Sequence, residues 1–236
     1  MKVAVIGAGV IGITTAYELA TQGHQVSVFE RNGAAAEECS FSNTGVASAG
    51  YAAPWARPGM FKHVLAHLWQ RDTPLRISKL SMADWRWLWQ MRKACDSTTF
   101  ARNRESMLRL AEYSSHRMRT LTDTLNLEHE RSQGFMVLLR SERESRLMQD
   151  SLKVMRDAGL SFKTLSAEEA RNIEPALKPE TALAQAIHFP EDEVGNCRQF
   201  ALLLKNEAES LGVKFHFNTA IEPLSSAQPK TIRIAK

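Results

Sequence analysis

The chain has 236 residues, 44% of them hydrophobic, and a formal net charge of +4 at pH 7. This length and composition predict a globular protein of one or two domains and exclude a disordered or fibrous chain. The small basic excess is spread among acidic residues on helical stretches, which argues against nucleic-acid binding.

The first residues bear on where the protein is located. Met1 and Lys2 lead at once into an apolar run, which leaves no room for a secretory leader. No stretch reaches the roughly 20 apolar residues of a membrane-spanning helix. Cys39, Cys95 and Cys197 are widely separated, so we expect reduced thiols. These features predict a cytoplasmic protein.

The amino-terminal residues alternate between strand and helix. Val3–Ile6 is a β-branched apolar run next to glycine, which predicts a central parallel strand covered on both faces. An apolar helix is predicted over residues 10–19, and it ends at Gly23, where the chain needs a left-handed residue. Residues 25–29 predict the second strand, and the composition of residues 32–50 predicts a loop.

The rest of the chain is predicted to be mainly helical up to residue 125 and mixed beyond it. The predicted helices cover residues 61–70, 82–94, 99–125, 141–158, 166–175 and 195–211. The predicted strands cover residues 134–140, 184–189, 213–217, 219–224 and 231–235. Two capping boxes, Ser141 with Glu144 and Ser166 with Glu169, mark helix starts.

Three glycines near the amino terminus form a phosphate-binding pattern. Gly7, Gly9 and Gly12 give G-x-G-x-x-G directly after a strand and at the start of a helix. They permit a tight turn, a close backbone approach to pyrophosphate and close packing of helix on sheet, while the helix start offers free N–H groups. Glu30 ends the second strand, where a carboxylate binds ribose hydroxyls and disfavours the extra phosphate of NADP. The pattern predicts a site for the ADP half of a dinucleotide.

The next loop bears on which dinucleotide is bound. FAD and NAD both contain ADP, so the glycines and Glu30 leave the two cofactors open. Ser40, Ser42, Asn43 and Gly45 follow in a loop, where a typical NAD dehydrogenase continues with strands and helices. Their polar groups suit a second stretch of pyrophosphate or the edge of an isoalloxazine ring, although such residues also make ordinary loops. The combination favours FAD.

Five segments resemble one protein family over essentially the whole chain. They read GAGVIGITTAYELATQGHQVSVFER, CSFSNTGVASAGYAAPWARPG, LWQMRKACD, RLAEYS and GVKFHFNTAIEPL. They resemble the small subunit of bacterial D-amino acid dehydrogenases, within the D-amino acid oxidase superfamily of FAD enzymes. YAAPWARPG, residues 51–59, is the most specific part of the likeness because it separates this family from glycine and sarcosine oxidases.

The resemblance implies a fold and a reaction. The fold is α/β, a Rossmann-like FAD-binding domain of the D-amino acid oxidase (GR2) type with an α+β substrate or cap domain. The implied division places the first part of the FAD-binding domain in residues 1–80, a largely helical cap portion in 81–194 and an incomplete return to the FAD-binding domain in 195–236. The reaction is FAD-dependent oxidative deamination of D-amino acids, D-alanine prominently, to 2-oxo acids and ammonia. Electrons pass to a respiratory acceptor, a quinone or carrier.

The resemblance also implies the residues that meet FAD. They are Val5, Ile6, Gly7, Ala8, Gly9, Val10, Ile11, Gly12, Glu30, Arg31, Ser42, Asn43, Gly45 and Ile221. No catalytic residue and no metal ligand is assigned, because the flavin performs the redox chemistry and the protein orients the substrate. Family members are much longer, so we expect an amino-terminal portion that is inactive alone. An NAD-dependent dehydrogenase and a silent dinucleotide-binding module are the alternatives.

Two further patterns can each be interpreted in more than one way. His63 and His67 lie one helical turn apart, a spacing that suits a shared metal ion, but no third ligand is apparent and an exposed helix face explains both. Four tryptophans lie among basic residues between positions 69 and 93. That mixture is typical of an interfacial helix on anionic lipid and also of packing within a core. With the respiratory acceptor, it predicts peripheral contact with the cytoplasmic face of the inner membrane.

Overall fold

The computed structural model describes residues 1–49, 52–60, 81–157, 159–222 and 234. It divides the chain into two compact units, one formed by Met1–Ala47 with Met118–Lys236 and the other by Ser48–Arg117. The predicted helix over residues 61–70, with His63 and His67, and all of the predicted strand over 231–235 except Ile234 lie outside the described residues. The domain boundaries implied by the resemblance stay a prediction.

Apart from two short strands that the sequence does not predict, Val46–Ala47 and Lys163–Leu165, the described elements follow the predicted order, and most differ from the prediction only at their ends. The strands are β1 (Lys2–Ile6), β2 (Gln25–Phe29), β3 (Val46–Ala47), β4 (Ser132–Leu139), β5 (Lys163–Leu165), β6 (Gln185–Val194) and β7 (Lys214–His216). The helices are α1 (Val10–Thr21), α2 (Met82–Ala94), α3 (Ser97–Leu125), α4 (Glu142–Asp157), α5 (Ala167–Ile173) and α6 (Cys197–Ser210).

The first sheet is parallel, and its three strands lie in the order β1-β2-β7. Val28 in β2 pairs with Val5 on one side and with Phe215 on the other. Val28 is buried in the same core cluster as Ile13 of α1 and Leu204 of α6, so both helices pack against this sheet. Because parallel strands end at the same edge, the turn after β1 and the end of β2 lie side by side.

The prediction that the first strand is central and covered on both faces is wrong for the described sheet. β1 lies at its edge. Val3 and Val5 are half-buried, whereas Ala4 and Ile6 on the opposite face are exposed, Ile6 by 50%. The error has a physical reason, because alternation between two faces leaves no trace in the sequence when both faces carry apolar residues.

The second sheet is antiparallel and is built around β6. β4 pairs along one edge of β6. β3 and β5 pair with the other edge of β6, at its opposite ends. β6 continues to Val194, beyond the predicted end at residue 189, because Glu193 still pairs with Gln133 of β4 and Ala47 of β3. The loop predicted over residues 32–50 therefore contains a two-residue strand, β3.

One of the two predicted capping boxes forms completely and the other only in part, and the predicted strand over residues 219–224 is reduced to a single bridge in its described part. Ser166 and Glu169 form the full reciprocal box before α5. Before α4, the Glu144 N–H donates to Ser141 Oγ at 3.3 Å, but the Glu144 carboxylate accepts from Arg140 N–H at 2.6 Å, so only half of that box forms. In the part of 219–224 that the structure describes, pairing is limited to an isolated bridge between Ile221 and Ile234.

The smaller unit contains α2 and most of α3. α2 begins with a full capping box between Ser81 and Asp84, which lowers the pKa of the Asp84 carboxyl through hydrogen bonds from Ser81. None of the residues of α2 is fully buried. None of the helices in the described ranges is long and apolar enough to cross a membrane.

Candidate functional site

The glycine turn after β1 has the geometry that its sequence predicts. Gly7 has a φ of +97°, a region that favours glycine, and its N–H donates to the Phe29 carbonyl at 2.8 Å. A Cβ on Gly12 would lie 1.9 Å from the Gly7 carbonyl oxygen, so a side chain there would collide with the turn. Gly7 therefore makes the bend, and Gly12 lets α1 pack close to it.

The start of α1 presents free hydrogen-bond donors. Gly9 caps the helix without a side chain, and the N–H of Val10 donates to Ser40 Oγ at 3.0 Å. In the described part of the chain, no protein acceptor meets the N–H groups of Gly9, Ile11 and Gly12. Three backbone donors at a helix start, which also carries a partial positive charge, form a binding site for an anion such as pyrophosphate.

Glu30 connects the end of β2 to the glycine turn. Its Oε2 accepts the N–H of Ala8 at 2.7 Å, and its Oε1 accepts the N–H of Asn32 at 2.8 Å. Each carboxylate oxygen has a second lone pair, so the side chain can still accept hydrogen bonds from ribose hydroxyls. The carboxylate is held beside the turn, where the sequence pattern requires it.

The loop of residues 35–45, which we call the serine loop, folds back onto the glycine turn. The Ala36 N–H donates to the Ala8 carbonyl at 2.9 Å, and Ser40 is buried with its hydroxyl at Val10. Since that hydroxyl oxygen accepts from Val10, its own hydrogen remains available to a phosphate oxygen. The sequence predicts Ser40 as one of the polar groups of the loop but does not place it among the residues that meet FAD. The bond that places it there joins residues 30 positions apart and has no local sequence signal.

The far end of the serine loop is fixed by Gly45. The Asn43 side-chain carbonyl accepts the Gly45 N–H at 2.8 Å, and the Gly45 carbonyl accepts the N–H of Gly195 at 2.9 Å. Gly45 has a φ of +62°, and a Cβ there would lie 2.1 Å from the Gly195 carbonyl oxygen. Ser42 is exposed between Ser40, whose hydroxyl accepts from Val10, and Asn43, whose side chain accepts from Gly45. The structure thus fixes the backbone on either side of the exposed serine.

Arg31 and Ile221 lie beside the site in different ways. The Arg31 guanidinium forms an ion pair with Glu38 of the serine loop, and its hydrogen bond lowers the pKa of the Glu38 carboxyl. Ile221 is half-buried and follows Thr219, whose N–H donates to the Glu30 carbonyl at 2.8 Å. Val5 and Ile6 form the end of β1 that leads into the turn. The roles of all these residues in binding a cofactor stay predictions.

The residues present fit the ADP part of FAD. The turn carries no side chain at Gly9, three backbone donors have no acceptor within the described ranges, and a carboxylate lies next to the turn. A sequence model of the DAO family, described as FAD dependent oxidoreductase, matches residues 2–234.

Three solved structures illustrate the likeness in fold. Glycine oxidase from Geobacillus kaustophilus is 22% identical with a TM-score of 0.63, and the match covers 92% of this chain and 46% of that one. L-Amino acid deaminase from Proteus myxofaciens, in complex with anthranilate, is 16% identical with a TM-score of 0.61, covering 94% and 39%. Reduced L-α-glycerophosphate oxidase from Mycoplasma pneumoniae, with FAD bound, is 18% identical with a TM-score of 0.57, covering 99% and 48%. The chain spans about half the length of these structures or less.

Proposed function

The chain belongs to the DAO family of FAD-dependent oxidoreductases, and from this premise we propose that it serves the oxidation of D-amino acids, D-alanine prominently, to 2-oxo acids and ammonia. The family assigns FAD as the cofactor and so removes the NAD alternative. The substrate class is our proposal. The segment YAAPWARPG supports D-amino acids, and solved neighbours named as a glycine oxidase and an L-amino acid deaminase support amino acids as the broader class.

The observation that carries the FAD-binding part of the proposal is the set of N–H groups at the start of α1 that have no acceptor among the described residues. We propose that the N–H groups of Gly9, Ile11 and Gly12 bind the FAD pyrophosphate, joined by the Ser40 hydroxyl. The Glu30 carboxylate would accept from the ribose hydroxyls beside them. Ser42, Asn43 and the backbone at Gly45 would meet a more distant part of the cofactor.

The chemistry divides between cofactor and protein. When bound, FAD supplies the oxidising power, taking a hydride from the α-carbon of an amino acid. The described residues contribute binding and orientation: a helix start that neutralises phosphate charge and a carboxylate that fixes the ribose. We further propose that the electrons continue to a quinone or carrier of the respiratory chain.

The proposed reaction is tested by flavin spectroscopy. The product of the whole reading frame is reconstituted with FAD, and its flavin absorption is followed without oxygen after addition of D-alanine, L-alanine or glycine. We expect bleaching with D-alanine to be faster than with the other two. Faster bleaching with L-alanine or glycine would reassign the substrate to another amino acid class.

Chain length is the main variable in that assay. The same measurement on the 236-residue chain and on the product of its whole reading frame separates an incomplete substrate pocket from a wrong substrate. We expect FAD binding in both, and turnover in a polypeptide that reaches the length of the solved neighbours. An artificial electron acceptor then shows whether reduced flavin is reoxidised.

We also propose that the protein attaches peripherally to an anionic membrane through one face of α2. Met82, Trp85 and Trp89 share a helix face and are 86%, 59% and 59% exposed. Basic side chains border this face, and Lys93 Nζ lies 3.4 Å from the centroid of the Trp89 ring. Exposed tryptophans flanked by lysine and arginine favour the headgroup region of anionic lipid.

Vesicle flotation tests this attachment. We expect the wild-type chain to float with vesicles containing anionic lipid and to stay in solution with neutral ones, and Trp85→Ala with Trp89→Ala to abolish flotation. Trp55→Ala is the matched control, since Trp55 is 85% exposed but lies outside α2. A wild-type chain that stays in solution with anionic vesicles would disprove the attachment.

A further inference from the structure

Arg198, in the first turn of α6, contacts the serine loop at two points. Its Nη2 lies 2.9 Å from Glu37 Oε1, and its guanidinium carbon lies 4.4 Å from the centroid of the Phe41 ring. Glu37 and Phe41 stand on either side of Ser40 in the sequence. One side chain therefore holds both flanks of the serine that bonds to the start of α1.

The position of Arg198 in α6 gives the helix no benefit of its own. A cation in the first helical turn opposes the partial positive charge of the helix start. The helix already has its cap, because the Asn196 side chain accepts the Gln199 N–H at 3.0 Å. The carboxylate of Glu37 offsets the unfavourable charge, and the pair is partly shielded, with 37% of each side chain exposed. The contacts of Arg198 thus serve the loop rather than the helix.

The loop is held between two helices that are fixed to each other. Leu204 of α6 and Ile13 of α1 are fully buried members of one core cluster. The serine loop bonds to α1 through Ser40 and Val10 and to α6 through Glu37, Phe41 and Arg198. Without the contact with α6, residues 37–41 would still be linked to the start of α1 by the Ser40–Val10 bond.

We propose that Arg198 is a positioning residue for FAD, which keeps Ser40 at the start of α1 by clamping residues 37–41. The proposal rests on the proposed function, in which the serine loop meets the FAD pyrophosphate. Arg198 itself does not touch the phosphate in this proposal. It acts through the loop, so its removal should loosen the loop and weaken FAD binding without unfolding the protein.

Amide hydrogen exchange on the full 236-residue chain measures the clamp directly. In Arg198→Gln, we expect exchange of the Val10 amide and of residues 37–45 to be about fivefold to twentyfold faster, the range that follows from losing one partly exposed ion pair and one cation–π contact. The melting temperature should fall by a few degrees at most, because the charge removed from the helix start offsets part of the lost contacts. A lower melting temperature without faster exchange at Val10 and residues 37–45 would instead indicate a purely structural arginine.

FAD titration provides the second measurement. We expect the FAD dissociation constant to rise by about fivefold to twentyfold in Arg198→Gln, and less in Arg198→Lys, which keeps the charge opposite Glu37 but loses the planar contact with Phe41. Glu37→Gln should also give an intermediate value. Arg146→Gln, which removes an exposed arginine on α4, is the matched control and should leave both measurements unchanged.

The outcomes separate this proposal from the proposed function. Slower loop exchange when FAD is added to wild type supports contact of the loop with FAD. If that protection is present but Arg198→Gln changes neither loop exchange nor FAD affinity, the positioning role is wrong and the proposed function stands. Faster exchange with unchanged affinity also overturns the positioning role. If FAD leaves loop exchange in wild type unchanged, both proposals for the loop fail.

Discussion

Glu30 and Ala8 are joined by a hydrogen bond of 2.7 Å between the Glu30 carboxylate and the Ala8 backbone N–H, across 22 positions of sequence. Ala8 lies between the first two glycines of the turn, and it is fully buried. The acid expected to bind ribose therefore also fixes the backbone that surrounds the pyrophosphate site. Its two roles should respond together to mutation.

Replacing Glu30 by glutamine should weaken both the turn and the site. A glutamine amide has a single oxygen, so its nitrogen faces the N–H of either Ala8 or Asn32. That backbone donor then loses its acceptor. We expect the free energy of unfolding to fall by about 1–3 kcal/mol, the cost of an unsatisfied buried donor. Urea unfolding measures this loss, and FAD titration should show weaker binding. Glu180→Gln, at an exposed position, is the control; equal stability of the two variants would contradict the dual role.

Replacing Gly9 by valine should block FAD binding with a smaller effect on folding. A Cβ at Gly9 would already lie 3.2 Å from Ser40 Oγ, and the valine methyl groups would crowd the free donors at the start of α1. We expect the FAD dissociation constant to rise by on the order of 100-fold, because the backbone can no longer approach the pyrophosphate.

Gly33→Ala is the matched control for Gly9→Val. A Cβ on Gly33 would make an ordinary contact, 3.6 Å from Asn218 Oδ1. Flavin fluorescence titration of both variants should show near wild-type affinity for Gly33→Ala alone. Undiminished FAD binding by Gly9→Val would mean that the pyrophosphate lies elsewhere.

The glycine turn could be predicted from sequence because its causes are local. Gly7, Gly12 and Glu30 lie at fixed spacing from a strand and a helix, and the structure gives each glycine the geometry that the pattern requires. The bond between Ser40 and Val10 could not be predicted, since it depends on how the whole serine loop folds. The contact of Arg198 with Glu37 spans 161 positions and depends on the packing of α6.

The strands show the same difference between features with local causes and features that depend on distant parts of the chain. β2 was predicted at its observed bounds because its apolar pattern and flanking turns are local. The edge position of β1 depends on which strands pair with it, and no residue within Lys2–Ile6 records that choice. The extension of β6 beyond Pro190 likewise depends on partners in β3 and β4 rather than on its own polar residues.

Gly45→Ala should destabilise the fold more than glycine replacement at a comparable turn. Gly45 and Gly23 both have positive φ, +62° and +79°, so alanine costs about 1–2 kcal/mol at either position. At Gly45 the new Cβ would also lie 2.1 Å from the Gly195 carbonyl oxygen, whereas nothing lies within 4 Å at Gly23. We expect a further loss of about 1–3 kcal/mol at Gly45, as for other overpacked sites.

Urea unfolding of the two variants tests this difference, because the cost at Gly23→Ala measures backbone strain alone. A similar loss in both variants would show that the loop moves away from β6 without cost. In that case the Gly45–Gly195 contact would not be what fixes the end of the serine loop.

Stability should fall in acid through His188 of β6. Burial first, and the nearby charge of Lys163 second, hold the pKa of His188 below its ordinary value of 6.5. The ring also lies close over Gly134, where a Cβ would come 2.9 Å from His188 Nε2. The folded protein therefore favours neutral His188, while the unfolded chain takes up a proton near pH 6.5.

The direction in which stability changes with pH follows from this difference in proton uptake. The contribution of neutral His188 is fully present above pH 6.5 and is lost as the pH falls from there through the lower folded-state pKa. Urea unfolding at a series of pH values should show a smaller acid loss in His188→Asn than in wild type, with Lys163→Met between them because it removes the repelling charge. Parallel pH profiles for wild type and His188→Asn would show that another group causes the acid loss. A profile for Lys163→Met that matched wild type, beside a flatter one for His188→Asn, would assign the whole effect to burial of the ring.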